Sequence, residues 1–331
     1  MFNTPFEFVA VGDITTDAFI KIKDAHVTCA IDNIKCEICM KFADKVPFES
    51  ATEVRAVGNS ANASVSAARL GLKSALVSDI GNDQNGRDCL SELLKNKVST
   101  KYISTHRNMD TNYHYVLWYE NERTILVNHK EYPYSLPKIK ASKWLYLSSL
   151  AENSFDYHLE IIAFLKAHPE TKLAFQPGTF QMKLGKEKLA DLYTRSEVFV
   201  CNVEESQRIL GSSETNIKNL LTAIRALGPK IVLITDGPKG AYMDDGTAQY
   251  FMPIYPDPKP PFERTGCGDA FASTFVTALS LGKTPLEALL WAPVNPMSVV
   301  QYVGAQKGLL DRATLEKYLA DAPVDYKPKV I

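Results

Sequence analysis

Beyond Tyr134 the chain repeats one unit: a short apolar run, a polar or glycine-bearing turn, then a stretch with helical periodicity. Apolar runs fall at 144–147, 173–175, 198–201 and 231–235, and helical patterns at 156–167, 186–196, 204–210, 216–227 and 285–291. Such short runs, apolar on nearly every residue, suit strands covered on both faces. Strand–helix alternation of this kind predicts an α/β fold of three layers, helices on both sides of a mostly parallel sheet with right-handed crossovers. In open sheets of this type ligands bind beyond the carboxyl ends of the strands. The turns Gln176-Pro177-Gly178, Asn202-Val203-Glu204-Glu205 and Thr235-Asp236-Gly237-Pro238-Lys239-Gly240 stand there and form the expected wall of a site.

The front of the chain adds a strand at 6–11 that ends in Gly12-Asp13, with Asp17 just beyond. A carboxylate past the end of a central strand is placed to accept hydrogen bonds from ligand hydroxyls. Residues 18–54 and 112–128 break the alternation with short β-type runs, the second turning at Glu120-Asn121-Glu122. Two β insertions of this kind predict a small sheet that covers a cleft as a lid. Between them lies Val57-Gly58-Asn59-Ser60-Ala61-Asn62, opening a small-residue helix that stops at Gly71, followed by a strand at 74–78 and a helix at 86–95.

Near the end, Thr265-Gly266-Cys267-Gly268-Asp269 leads into an apolar helical pattern. Two glycines around a small residue let the backbone turn tightly and approach a ligand. A helix starting near Asp269 aims free N–H groups and its positive dipole end into that loop, which makes an anion site. Asp269 would repel a bound phosphate, but it makes sense as a base that takes the proton from an attacking hydroxyl. The same residues also read as a plain turn with a helix cap.

Hydrophobic content of 45% in 331 residues supports a large core, and a net charge of −1 gives no reason to expect nucleic acid or an anionic membrane as partner. No apolar run reaches the roughly 20 residues of a membrane span, and the first residues lack the pattern of a secretory signal. Cys29, Cys36, Cys39, Cys89, Cys201 and Cys267 read as reduced thiols of a cytoplasmic protein. Cys36-Glu-Ile-Cys39 is short of a zinc site, which usually needs four ligands.

Four segments in order resemble the ribokinase-like (PfkB) carbohydrate kinases over most of the chain. They are VGNSANASVSAARLG, Asn202-Val203-Glu204-Glu205, Thr235-Asp236-Gly237 with Gly240, and RTGCGDAF. The resemblance implies a single kinase domain over 1–331 with the lid inserted in it. It implies ATP as co-substrate and transfer to a hydroxymethyl group of a small sugar, with a nucleoside kinase as the alternative and a non-catalytic ligand-binding homologue as a third reading. Asp269 would be the base and the amides of Gly266, Cys267 and Gly268 the anion hole. Asn202 and Glu205 would organise Mg²⁺ through water, Thr235, Gly237, Gly240 and Asn295 would hold the nucleotide, and Asp17, Gly58, Asn59 and Asn62 the acceptor. A lid sheet also offers a surface for a homodimer.

The chain departs from the family pattern at three places. Val57 replaces the first glycine of the front pair, which predicts a narrower acceptor cleft. Glu263-Arg264 replaces an Asp-Thr that belongs to a monovalent-cation site in many members. Pro293 and Pro296 interrupt what is often a helix beside the adenine.

Overall fold

The apolar runs assemble as the alternation requires. The computed structural model describes residues 5–29, 36–120 and 122–331. In chain order its strands are β1 (Phe8–Val11), β2 (Thr15–Ile22), β3 (His26–Cys29), β4 (Cys36–Cys39), β5 (Phe48–Val57), β6 (Ser74–Gly81), β7 (Ser99–His106), β8 (Tyr113–Tyr119), β9 (Glu122–Leu126), β10 (Trp144–Leu147), β11 (Lys172–Phe175), β12 (Ser196–Asn202), β13 (Ile231–Thr235), β14 (Ala241–Asp244), β15 (Gln249–Met252) and β16 (Lys329–Val330). The helices are α1 (Asn59–Arg69), α2 (Gln84–Lys95), α3 (Phe155–Ala167), α4 (Thr179–Leu184), α5 (Ala190–Arg195), α6 (Val203–Leu210), α7 (Ile217–Arg225), α8 (Cys267–Ser280), α9 (Pro285–Trp291), α10 (Val294–Val299) and α11 (Arg312–Ala320).

The main sheet runs β16-β15-β14-β13-β12-β11-β10-β1-β6-β7. Its pairings are parallel from β7 through β13, and β14, β15 and β16 extend it antiparallel. Side chains alternate across each strand and so feed two separate cores. Phe8, Ala10, Trp144 and Tyr146 pack on the side of α1 and α8, whereas Val9, Val11, Leu145 and Leu147 pack on the side of α3 and α7. This two-sided burial is why the runs are apolar at nearly every residue.

Helices α1 and α8 decide where the site lies. The sequence of α1, NSANASVSAAR, has only one side chain bulkier than Asn before Arg69, and Ser60 through Ala67 are all buried. In α8, Asp269 through Ala278 are all buried, so this helix sits inside the protein rather than on its face. Small side chains let the two helices pack closely, which carries the first turn of α1 to the first turn of α8.

The lid is a four-stranded sheet of order β5-β2-β8-β9. It begins at Thr15 and its returning strand ends at Val57, so it is rooted closer to β1 and α1 than residues 18–54 suggest. The two β insertions pair with each other directly, β2 parallel to β8 with Asp17 opposite His114. Val57 is buried and pairs with Thr15 at the root of this sheet. Asn121, at the turn predicted between β8 and β9, lies outside the described residues, as do Ala30 and Ile31.

Two expectations are corrected and a third is met in part. Helix 186–196 is formed only over Ala190–Arg195, because Ser196 takes an extended backbone and opens β12. Pro293 does mark a break, since α9 ends at Trp291 and α10 starts at Val294 with Pro293 as its cap, but Pro296 breaks nothing: it sits in the first turn of α10, where a missing N–H loses no helical bond. Cys29 and Cys36 are not free thiols but form a disulfide, because they stand directly opposite each other on the β3–β4 hairpin with Cα atoms 4.0 Å apart.

Candidate active site

The centre of the site is Asp269, near the start of α8. Gly266 caps that helix in the left-handed region at φ 81°, and a Cβ there would lie 2.2 Å from the Ala305 side chain. Gly266 is therefore required by the fold. Gly268 is not: the nearest atom to a Cβ built on it is Gln176 Nε2 at 3.8 Å. The space beside Gly268 opens on the cleft, which suits close approach of a ligand to its backbone. Cys267 is half-buried, and burial pushes its thiol up to about 12, which disfavours the thiolate.

Both carboxylate oxygens of Asp269 are held by side-chain amides. Asn59 Nδ2 donates to Oδ1 at 2.7 Å, Asn62 Nδ2 to Oδ2 at 2.8 Å, and Gln176 Nε2 to Oδ1 at 3.2 Å. Asn59 and Asn62 are three apart and share one face of α1. The Asn62 and Gln176 amides are in turn fixed. Gln306 Nε2 donates to Asn62 Oδ1 at 3.0 Å, and the Tyr146 hydroxyl donates to Gln176 Oε1, leaving each NH₂ to face the aspartate. Burial pushes the Asp269 carboxyl above the ordinary aspartate value, and the Asn62, Asn59 and Gln176 donors pull it back, with a smaller pull from the charge of Arg123. The result is an anchored carboxylate whose basicity is increased, as proton abstraction requires.

Glu263 ties the loop to the lid. It is 5% exposed and its Oε1 accepts from Thr265 N at 2.7 Å and from the Thr265 hydroxyl, while Oε2 accepts from Gly304 N at 3.2 Å. From β9, Arg123 Nη1 reaches Oε1 at 3.4 Å. The carboxylate that stands at the family's monovalent-cation position is thus occupied by protein donors and a guanidinium. Arg264 lies in the wall of the donor cleft.

That cleft has a volume of about 760 Å³ and is lined by Asn202, Thr235, Gly237, Gly240, Cys267 and Gly268, so it connects the strand-end turns to the anion loop. Asn202 and Glu205 form a reciprocal cap of α6. Asn202 Oδ1 accepts from Glu205 N at 2.8 Å and Glu205 Oε2 from Asn202 N at 2.9 Å. Burial raises the Glu205 carboxyl, the Asn202 amide opposes this, and the charge of Asp269 adds to the rise.

Asn295 does not belong to the nucleotide wall. It is fully buried, donates to Thr274 Oγ1 at 2.8 Å and accepts from Leu310 N at 2.8 Å, so it fastens α10 to α8. Its neighbours Pro293, Pro296 and Met297 line the cleft instead. Asn59 and Asn62, expected at the acceptor, bond Asp269 itself. Gln176 was expected only as part of a strand-end turn and is a third holder of that aspartate. Asp17 is buried on β2 with His114 Nδ1 3.3 Å from its Oδ1. Gly58 caps α1, with Asp13 O 2.5 Å from where its Cβ would be.

Comparison with known proteins agrees with this geometry. A family model described as pfkB family carbohydrate kinase matches residues 29–312. The chain belongs to this family. The kinase is 27% identical over 272 residues to a ribokinase of Bacillus subtilis, covering 80% of this chain and 87% of that one. It is 26% identical over 274 residues to an ATP-dependent 6-phosphofructokinase of Thermoanaerobacterium thermosaccharolyticum, with 78% and 83% covered. Its fold matches that of Arabidopsis thaliana ribokinase complexed with ribose and ATP, with a TM-score of 0.79, 20% identity and 96% and 99% of the two chains covered. It also matches a nucleoside kinase of Methanocaldococcus jannaschii, with a TM-score of 0.76, 17% identity and the same coverage. The protein is an ATP-dependent carbohydrate kinase of ribokinase fold.

Proposed function

We propose that the kinase transfers the γ-phosphoryl group of ATP to a hydroxymethyl group of a small sugar, with Asp269 as general base. The observation that carries this is the triply anchored, buried Asp269 beside the open backbone of Gly268. The acceptor hydroxyl gives its proton to the Asp269 carboxylate as its oxygen bonds the γ-phosphorus. The bond to the β-phosphate oxygen breaks, and ADP leaves. The amides of Gly266, Cys267 and Gly268 at the head of α8 stabilise the charge on the phosphoryl oxygens.

Thr235, Gly237 and Gly240 hold the nucleotide in the donor cleft. Asn202 and Glu205 would hold Mg²⁺ through water, and the ion would supply neutralisation of charge on the donor phosphates. The residues fit such a role, because Asn202 lines the cleft and the charge of Asp269 adds to the rise of the Glu205 carboxyl, a placement of negative charge that a divalent cation would relieve. Asp269 and the Asn202–Glu205 cap also argue against a non-catalytic relative that only binds ligand. The whole chain acts as one kinase domain, with the lid closing over the acceptor. Exposed Phe48, Tyr115, Ile125 and Leu126 on lid strands support pairing of two copies through that sheet.

The test is phosphate transfer from ATP with Mg²⁺ across free pentoses, hexoses and nucleosides, with products read by mass. Transfer to a sugar is expected. Transfer to nucleosides alone would move the assignment to a nucleoside kinase, and binding without transfer to any acceptor would refute the catalytic reading.

A further inference from the structure

The charges around the donor cleft do not match the anion it holds. A nucleoside triphosphate is strongly negative, and one divalent cation offsets only part of that charge. Yet the cleft is lined by the carboxylates of Glu204, Asp236 and Asp257, against the cations of Lys239 and Arg264. Lys239 is already matched, with its Nζ 3.4 Å from Asp236 Oδ2 on the same turn. Arg264 is not. Among the described residues its guanidinium has neither an ion pair nor a hydrogen bond, and the residue is exposed. It is the free cation of a cleft that must bind phosphate.

The backbone fixes that cation at the phosphate end. Arg264 O accepts from Cys267 N at 3.5 Å, closing the turn that opens α8. Glu263, just before it, is buried and holds Thr265 N at 2.7 Å and Gly304 N at 3.2 Å. The main chain is thus tied on both sides, and only the side chain is left without a partner. Burial raises the Cys267 thiol and the Asp257 carboxyl, and the charge of Arg264 opposes both rises. Its field therefore reaches the anion loop as well as Asp257. Residue 264 is one of the departures from the family pattern, which has an uncharged threonine there, so this charge belongs to the chain in its own right.

We infer that Arg264 grips the terminal phosphates of bound ATP and stabilises the phosphoryl group as it is transferred. This rests on the kinase reading above. A guanidinium suits the task, because its planar fork of donors matches a pair of phosphate oxygens and it stays charged at any working pH. The bonds made and broken are those already given, and Arg264 neither gives nor takes a proton. The rival partner is Asp257, but that carboxylate is itself exposed, and a surface pair of this kind contributes little.

The experiment is titration calorimetry with Mg²⁺, using the β,γ-imido analogue of ATP, then ADP, AMP and adenosine. It is run on the wild type, Arg264→Gln and Arg264→Lys. Arg264→Gln changes an exposed side chain, so the melting temperature holds. It raises the Kd of the ATP analogue by about tenfold or more, the loss expected when a hydrogen bond to a charged group is removed. ADP loses less, and AMP and adenosine stay within about twofold. Arg264→Lys recovers part of the loss, since it keeps the charge without the fork. Rising NaCl weakens analogue binding more in the wild type than in Arg264→Gln. In steady-state transfer at saturating ATP, Arg264→Gln lowers kcat by about tenfold.

An equal loss for AMP or adenosine marks a residue that only shapes the cleft and overturns the inference. An unchanged Kd for the ATP analogue, or an unchanged kcat at saturating ATP, does the same. Calorimetry needs no turnover, so nucleotide binding that depends on Arg264 without transfer to any acceptor sinks the kinase reading and spares the contact. Wild-type transfer by Arg264→Gln does the reverse.

Discussion

The two sides of the cleft are finished to different degrees. At the head of α8 every oxygen of Asp269 already has a donor, the Asn62 and Gln176 donors are themselves fixed, and the helix behind is buried from Asp269 to Ala278. Across the cleft, at the root of the lid, Asp13, Asp17 and His114 are buried and His129 half-buried, four of their atoms have no hydrogen bond among the described residues, and β9 is exposed along its length. The Asp269 side is preorganised by side-chain donors, whereas the lid root keeps polar atoms without a hydrogen bond. Preorganised groups need no rearrangement as charge develops, and a site completed by its ligand discriminates by leaving a cost when the wrong ligand binds.

The largest break in this comparison is Asp269→Asn. It removes the base and sets an amide against the amide donors, and it should lower kcat by about 10³-fold while ATP still binds. Gly268→Ala sharpens the same point. Its Cβ meets nothing closer than 3.8 Å, so the melting temperature should hold while transfer falls by about 10²-fold through intrusion on the phosphoryl position. Gly266→Ala, with Ala305 at 2.2 Å, should instead lower the melting temperature.

Arg123 is an ion-pair strut between the two sides. Arg123→Ala frees Glu263 from the lid and should raise the acceptor KM by about tenfold with a smaller change in kcat, because an ion pair about a third exposed contributes modestly. An Arg123→Lys variant should recover part of the loss, which steady-state kinetics would show. The smallest effect on activity belongs to Asn295→Ala. It removes two buried bonds and should cost about 1–3 kcal/mol of stability in denaturant unfolding, with the ATP KM unchanged.

Much of the frame was legible because its signals are local. Short runs apolar at nearly every residue suit strands covered on both faces, and four motifs in order pointed to the loop at the head of α8 and to Asp269. What was missed depends on register across long separations. Asp17 meets His114 only because β2 pairs parallel with β8, and no local pattern announces that pairing. Gln176 read as a turn residue, since its partner Asp269 lies 93 positions away. The Cys29–Cys36 bridge needed the alignment of a hairpin whose turn the sequence left unread. Asn295 shows the opposite failure: assigned by resemblance alone, it turned out to serve packing, and the prolines around it line the cleft.

The central claim is that Asp269 accepts the proton. The most direct test is the pH dependence of kcat, measured side by side for the wild-type enzyme and for the residual activity of Asp269→Asn. Burial raises this carboxyl in the folded protein, so the working carboxylate is present at high pH and lost as pH falls through the raised value. The wild type should show one acidic limb, with its midpoint above 3.8, and the variant should lack it. The same limb in both proteins would contradict the account and assign the proton to another group.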